Sequence, residues 1–251
     1  MIPPTIWMFW GDGFDRAPEV VRMCLKQWQS CSPRLNFELL DRGSFQEFMP
    51  EFIDRDIPIQ AISDILRARI LSRHGGIWAD ATTIPTIDVF EWIGGFHDND
   101  MLAFKYERSR YPLSSWFIAA KKDSYLMREW AHNVDEYWMN DRYLKLGRSG
   151  SYYNKNLNHE NFLNVESSNV YPYFWFHYLF GDLIAKDRVA FELWSKVPPL
   201  SSDAAHDLQT ELKRSGIVRR RKVWKKWASS PIHKLDWRME VDEGFSRIVK
   251  I

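Results

Sequence analysis

The chain is poor in cysteine, carries almost no net charge, and has no long uninterrupted apolar run. Its two cysteines, Cys24 and Cys31, lie in one predicted helix. In a helix, this spacing puts their Cα atoms about 10 Å apart, which is too far for a disulfide. No stretch approaches the roughly 18 apolar residues of a membrane-spanning helix, and the N-terminus lacks a signal-peptide pattern. We therefore expect a cytoplasmic protein in a reducing compartment.

The low net charge and the lack of common catalytic motifs exclude several classes of function. The formal net charge of +1 gives no overall attraction for nucleic acid, so we expect no nucleic-acid partner. The sequence contains neither a Walker-type phosphate loop nor a glycine-rich dinucleotide motif. No nucleophile triad has a spacing that supports it.

Aromatic residues, in contrast, are abundant. They make up 16% of the 251 residues and include 13 tryptophans, within a hydrophobic fraction of 45%. That fraction is enough for a large core and excludes general disorder. Most of the rings are expected in the core, and the others suit stacking on sugar or base faces.

Strands and helices alternate along the N-terminal half. The predicted order is strand 5–10, helix 18–30, strand 36–40, helix 44–52, a helix from about 62, and strand 77–83. This alternation predicts an α/β fold with a mainly parallel central sheet flanked by helices. Later segments are predicted as strands 101–106 and 116–120, a loop 107–115 between them, an amphipathic helix 123–139, a long polar loop 140–169, and a helical C-terminal portion.

The stretch 63–83 carries the candidate chemistry. Its helix places Asp64 and Arg67 three residues apart, where they are neighbours on the helix surface. Gly75-Gly76 is predicted to end the helix, since glycine tolerates positive φ. In the strand that follows, Trp78, Asp80 and Thr82 would share one face. An acid at the end of a buried strand is where α/β enzymes place polar chemistry.

Each of these acids and bases has more than one interpretation. Asp80 is either a turn-forming residue or an oxygen ligand for Mg²⁺ or Mn²⁺ that holds a diphosphate. Asp64 and Arg67 are either a surface ion pair or a site in which the guanidinium binds a carboxylate or phosphate. His233, beside Lys234 in a loop that begins with proline, is either structural or a ligand.

A histidine and a basic segment in the second half of the chain are also candidates for functional roles. His177 lies among aromatic residues and is expected to be a packed core histidine. The basic segment 213–227, which contains Trp224 and Trp227, is either a solvated helix face or a helix on an anionic membrane.

Six motifs occur in a fixed order along the chain. The first three are I-P-P-T-I-W-M-F-W-G, S-D-I-L-R and G-G-I-W-A-D-A-T, and S-S-W-F-I-A-A-K-K, F-H-Y-L-F and P-I-H-K-L follow. In this order they resemble the bacterial capsular polysaccharide synthesis proteins, which belong with the DXD-type sugar transferases, the glucosylating toxins and the yeast mannosyltransferases. The resemblance spans almost the whole chain. It implies a GT-A-type, Rossmann-like fold, a nucleotide-sugar donor and retention of anomeric configuration.

The resemblance also implies a role for each site residue. Trp10 would stack on the nucleobase, and Trp7 would also bind the donor. Asp64 and Arg67 would hold hydroxyls of the donor sugar. Asp80 would contact the ribose and the metal, which His233 and Thr82 would also ligate. Lys234 would offset charge on the leaving group. Ser115 and Trp116 would line the donor-sugar and acceptor side.

One position departs from the family pattern. The second acid of the DXD element is Thr82 here, and a threonine hydroxyl is a neutral, weaker metal ligand than a carboxylate. The expected cofactor is still Mn²⁺ or Mg²⁺, with strict metal dependence in doubt.

Together these observations predict one GT-A-type domain over 1–251, in which 1–122 bind the nucleotide sugar and 123–251 form a mostly helical part near the acceptor and the membrane. The predicted function is a retaining hexosyltransferase that moves galactose or glucose from a UDP-sugar to a lipid-linked oligosaccharide in capsule or O-antigen synthesis. It would work at the inner face of the cytoplasmic membrane, contacting anionic lipid through 213–227. The alternatives are a non-catalytic sugar-nucleotide or glycan-binding module and a membrane-surface scaffold.

Overall fold

A central five-stranded sheet organises the fold. The computed structural model describes residues 1–52, 57–96, 98–106, 111–139, 151–152, 155–164, 171–214 and 220–240. Its strands are β1 Thr5–Phe9, β2 Asn36–Leu40, β3 Gly76–Ala79, β4 Thr83–Pro85, β5 Met101–Ala103, β6 Phe117–Ala120, β7 Ser151–Tyr152, β8 Tyr171–Pro172 and β9 Ile232–Lys234. Its helices are α1 Glu19–Cys31, α2 Arg42–Phe48, α3 Ile59–His74, α4 Val89–Ile93, α5 Tyr125–Met139, α6 Trp175–Lys186, α7 Arg188–Ser195, α8 Ser202–Arg214 and α9 Arg220–Trp227.

The sheet order is β2-β1-β3-β6-β5. β1 pairs in parallel with β2 and β3, whereas β6 is antiparallel to both β3 and β5. Four of the five strands therefore run in one direction, which confirms the predicted α/β class and the mainly parallel sheet. Because β3 lies in the centre, its four residues are all buried. The carboxyl ends of β1 and β3 consequently open at the same edge of the sheet.

The turn Gly75-Gly76 joins α3 to β3, as predicted. Both residues have positive φ, +66° and +95°. A Cβ on Gly75 would lie 2.6 Å from the backbone nitrogen of Lys122, and one on Gly76 would lie 2.6 Å from the carbonyl oxygen of Thr5. Glycine is needed here because both the backbone conformation and the close approach of neighbouring strands exclude a side chain.

The predicted strand 77–83 is interrupted in the structure. β3 ends at Ala79, and a tight turn follows in which the amide of Thr83 donates to the carbonyl of Asp80 at 2.8 Å. The Thr83 hydroxyl donates to the same carbonyl at 2.7 Å. The chain then leaves the central sheet as β4, which pairs antiparallel with β9. This pairing brings the C-terminal part of the chain to the edge where β3 ends.

Helices and aromatic side chains fill the second half. The predicted helix 123–139 is present as α5, and the predicted helical C-terminal portion contains α6. All five strands of the central sheet come from residues before 121. Trp130 stacks on Phe176 with ring centroids 4.0 Å apart, which packs α5 against α6. Most of the largest fully buried side chains are aromatic, which matches the expectation for the core: Trp28, Trp78, Trp130, Trp138, Trp175, Phe52, Phe104, Phe117, Phe162, Phe176 and Phe180.

Some sequence predictions fall outside the described residues. They are most of the loop 140–169, part of the loop 107–115, and residues 215–219 of the basic segment. Within the described residues, no helix is long and apolar enough to cross a membrane. Cys24 and Cys31 are free, as their helical spacing predicts.

Replacing Gly76 with alanine should destabilise the fold by about 2 kcal/mol or more, because positive φ strains an L-residue and the new Cβ meets the Thr5 carbonyl. Urea unfolding of both proteins measures the difference. Gly94→Ala is the matched control, since a Cβ added to Gly94 would have no atom within 4 Å. A Gly76→Ala protein as stable as the control would contradict the strain argument.

Candidate active site

The candidate site forms where β3 ends, from three separate parts of the chain. α3 supplies Asp64 and Arg67, and the turn after β3 supplies Asp80 and Thr82. Lys234 arrives on β9, where it pairs in register with Thr83. The amide of Leu235 donates to the Thr82 carbonyl at 2.8 Å, which fixes the two segments together. The site thus depends on contacts between residues more than 150 positions apart.

Arg67 lies at the centre of the site and is only 3% exposed. Its Nη1 donates to Asp64 Oδ1 at 2.6 Å, and its Nη2 donates to Asp80 Oδ1 at 2.7 Å. The guanidinium also lies over the rings of Trp78 and Phe176, at 5.0 and 5.6 Å from their centroids. A buried cation is stable only with such partners, so Arg67 holds the two carboxylates at a fixed separation.

Asp80 is held from both sides. Trp78 Nε1 donates to Oδ1 at 3.1 Å, and Lys234 Nζ lies 3.3 Å from Oδ2. Lys234 also donates to the hydroxyl of Thr82. The backbone amide of Asp80 donates to the carbonyl of Trp116 at 2.8 Å, at the start of β6. The carboxylate is therefore oriented before any ligand binds.

The two carboxylates differ in their ionisation. Burial alone would raise the pKa of Asp80, but the positive charges of Lys234 and Arg67 outweigh it and hold that pKa below its ordinary value. Burial raises the pKa of Asp64 to about 7, and the charge of Asp80 adds to the rise while Arg67 opposes it. At neutral pH, Asp80 is ionised and Asp64 is close to its titration midpoint.

Aromatic residues of the second half border this cluster. Burial, followed by the charge of Arg67, lowers the pKa of His177 to about 3, so this histidine is neutral. It contacts the rings of Tyr111 and Phe174, as expected for a packed histidine, but it also feels the charges of the site. Tyr173 is about half exposed, and partial burial, followed by the charges of Asp64 and Asp80, raises its pKa. Spacing along the chain carries no signal for Tyr173, because only the packing of α6 brings it here.

Trp10 lies at the same sheet edge, directly after β1, as expected for a nucleobase-binding residue. Its ring packs edge-on against Trp237, with centroids 6.3 Å apart. Trp237 is 46% exposed, and the guanidinium of Arg238 covers its ring at 4.7 Å. Sequence reasoning did not single out Trp237, which follows β9 by three residues.

Trp7 lies in the middle of β1, and its indole is directed toward the turn before β3, which corrects the expectation that it contacts the donor. Its Nε1 donates to the carbonyl of Gly75 at 3.1 Å, and its ring packs against Phe48 and His74. Gly75 precedes β3 and Asp80 follows it, so roughly 16 Å of extended chain separates these two residues. The indole of Trp7 therefore stabilises the turn after α3.

His233 is also placed away from Asp80, unlike the metal-ligand role expected for it. It is fully buried, and its Nε2 is 2.9 Å from the carbonyl oxygen of Trp227, whose ring stacks on it. Successive residues of a strand point to opposite faces, so Lys234 faces the site and His233 faces the α8–α9 side. The residue beside the carboxylate is a lysine.

Ser115 and Trp116 lie beside the site, but in different roles. Trp116 is buried against Phe104 and His206, and its contact with Asp80 is made by its backbone carbonyl. Ser115 is half-buried in the preceding turn.

The donor set around Asp80 does not fit a divalent cation. Both carboxylate oxygens already accept from cations or an indole N–H, and the Thr82 hydroxyl accepts from Lys234. Within the ranges that the structure describes, no group of three or more histidine, cysteine, aspartate or glutamate residues could hold a metal. The metal roles expected for Asp80, Thr82 and His233 thus have no common geometry here.

Two cavities lie away from this cluster. One, between α6 and α7, is lined by Gly181, Ile184, Asp187 and Phe191 among others. Another lies beside the loop after α9, at Trp227 and Pro231. Neither contains the charged groups described above, so the chemistry of the side chains, and not the cavity size, identifies the candidate site.

A family model described as "Capsular polysaccharide synthesis protein" matches residues 2–145, more than half of the chain. The chain belongs to this family. The match includes Trp10, Asp64, Arg67 and Asp80 but ends before Lys234. The family membership confirms the resemblance seen in the motifs.

Two individual proteins are also similar. The chain is 26% identical over 152 residues to a protein of Saccharomyces cerevisiae named "Putative glycosyltransferase HOC1", in a match that covers 51% of this chain and 38% of the yeast protein. The match thus spans well under half of that relative's length. A solved structure, "PaToxG Glycosyltransferase", is 14% identical, in a match that covers 92% of this chain and 89% of that one, with a TM-score of 0.42.

The raised pKa of Asp64 predicts a pH effect on stability. Between about pH 4 and 7, the unfolded chain has an ionised Asp64 while the folded protein keeps its proton. Stability is therefore lost as pH rises through this window, on the order of 1 kcal/mol per pH unit. Asp64→Asn keeps an acceptor for Arg67 but cannot ionise, so its free energy of unfolding should fall less between pH 5 and 7.

Urea unfolding at both pH values measures this slope, and Asp15→Asn, at an exposed position, is the control. Asp80 contributes with the opposite sign, because its lowered pKa gives stability that is lost at more acid pH. An Asp64→Asn slope equal to that of the unaltered protein would remove Asp64 as the titrating group.

Proposed function

We propose that this protein is a retaining glycosyltransferase that transfers a hexose, galactose or glucose, from a UDP-sugar to a lipid-linked oligosaccharide in capsular polysaccharide or O-antigen synthesis. Family membership supports the general assignment. The observation that carries the proposal is the arrangement of Arg67 and Lys234 on either side of Asp80, at the edge where β1 and β3 end. Ligands of open α/β sheets bind at such edges.

The charges suit the chemistry of sugar transfer. Breaking the bond between sugar and phosphate leaves negative charge on the departing diphosphate, so catalysis requires positive charge placed there in advance. β9 holds the backbone of Lys234 and α3 holds that of Arg67. The side chain of Arg67 is buried, and that of Lys234 is largely buried. Their positions need little rearrangement during the reaction.

Other residues suit the remainder of the donor. Trp10, packed against Trp237, offers an aromatic surface for the uracil ring. Asp64 and Asp80 offer acceptors for sugar and ribose hydroxyls, and near neutral pH Asp64 is also able to donate. In a front-face transfer, the leaving phosphate itself takes the proton of the acceptor hydroxyl, and Arg67 and Asp80 hold the donor during that step.

The alternative is a module that binds a sugar nucleotide or glycan without catalysis. It is favoured by Thr82 in place of an acid and by the exposed aromatic residues Tyr173 and Trp237. Slow release of UDP from a UDP-hexose distinguishes the two, because a binding module releases none.

Asp80→Asn should reduce UDP release from UDP-glucose or UDP-galactose at least 100-fold, since the amide cannot neutralise and orient Arg67 and Lys234. Turnover is measured with and without an acceptor glycan, and thermal unfolding checks that the variant folds. Asp203→Asn, at an exposed position of α8, is the control. Near-normal turnover of Asp80→Asn would remove this carboxylate from the mechanism.

We also propose that α9 contacts an anionic membrane. Val223 and Trp227 are buried, which fixes the helix to the rest of the fold, while Trp224 is 48% exposed. Exposed basic residues accompany Trp224 on the outer side of the helix: Arg221, Lys222 and Lys225. An indole among basic side chains suits the headgroup region of a bilayer.

The double variant Lys222→Glu/Lys225→Glu should weaken binding to vesicles of phosphatidylglycerol at least tenfold, because each basic residue near the surface contributes about 1 kcal/mol. Co-sedimentation measures the binding. Lys186→Glu/Lys196→Glu makes the same change of charge at exposed positions of α6 and the turn after α7. If both double variants lost vesicle binding equally, the attraction to the membrane would depend on the overall charge of the protein and not on α9.

A further inference from the structure

Lys234 is the cation that contacts both Asp80 and Thr82. Its Nζ lies 3.3 Å from Asp80 Oδ2 and donates to the hydroxyl of Thr82, so it contacts both residues of the DXD-like element. Its side chain is 21% exposed. The strand pairing of β4 with β9 holds its backbone in place.

Arg67 adds a second positive charge within the same cluster. Its two terminal nitrogens bind Asp64 and Asp80, and it is almost completely buried. Both cations contact the same carboxylate, Asp80. An anionic ligand at this edge of the sheet would therefore meet two fixed positive charges.

A divalent cation at Asp80 would approach these two fixed cations directly. It would have to displace Lys234 from Asp80 Oδ2 and from Thr82, and it would gain only one ionised carboxylate and a neutral hydroxyl in return. Mg²⁺ and Mn²⁺ prefer several hard oxygen ligands. The neutral Thr82 also leaves the charge of Lys234 less compensated than a second acid would.

We infer that Lys234, together with Arg67, supplies the positive charge that binds the diphosphate of a nucleoside diphosphate sugar, so that donor binding and transfer proceed without a divalent cation. This inference rests on the proposed function and specifies how the site binds its donor. The ammonium and the guanidinium donate to the phosphate oxygens, and their charge stabilises the diphosphate as the bond to the sugar breaks.

The test uses the full chain, treated with EDTA and dialysed, with UDP and uridine as probes in isothermal titration calorimetry. UDP should bind with the same affinity, within about twofold, in EDTA and in 2 mM MnCl₂ (about tenfold above protein). Lys234→Met should weaken UDP binding at least tenfold and leave uridine binding unchanged, because uridine has no phosphate. If Lys234 had only a structural role, Lys234→Met would weaken the binding of UDP and of uridine to the same extent.

Lys196→Met is the matched control, since this lysine is exposed and follows α7, which supplies no residue of the candidate site. Tightening of UDP binding by Mn²⁺ of tenfold or more, or equal UDP affinity in Lys234→Met and the unaltered protein, would overturn the inference and leave the proposed function standing. Failure of the unaltered protein to bind UDP in either buffer would overturn the proposed function itself.

Discussion

The buried guanidinium of Arg67 is the constraint on which the site depends. A cation that is 3% exposed is costly unless acceptors meet its donors, and Asp64 and Asp80, from two different elements, accept from its two terminal nitrogens. The helix α3 and the turn after β3 are thereby locked in one relative position. Removal of either acid would leave a terminal nitrogen of the buried guanidinium without its acceptor, so folding and site geometry are not separable here.

The remaining part of the site comes from a distant segment. The family match ends at residue 145, yet Lys234 completes the contacts of Asp80 and Thr82. Its arrival depends on the short pairing of β4 with β9 and on the backbone bond from Leu235 to Thr82. The α/β portion thus presents the acid, and the C-terminal portion presents the cation.

Local patterns were sufficient to predict much of this arrangement. Gly75-Gly76 predicted the end of α3, and the position of Asp80 after an apolar strand predicted a polar site at the sheet edge. Trp7 and His233 were misplaced for a different reason. The pattern of β1 does not show which end of the sheet Trp7 faces, and His233 takes its surroundings from the packing of α8 and α9. The spacing of residues along the chain does not indicate such long-range contacts. For this reason the sequence also shows no sign that Trp237 and Tyr173 lie near the site.

The antiparallel pair formed by β4 and β9 has a consequence for the order in which the charged cluster assembles. Because β9 follows every strand of the central sheet along the chain, ribosomal synthesis produces the two acids well before their lysine. Until β9 pairs with β4, the cluster lacks Lys234, although all strands of the central sheet have already been synthesised. Docking of one three-residue strand therefore completes the cluster.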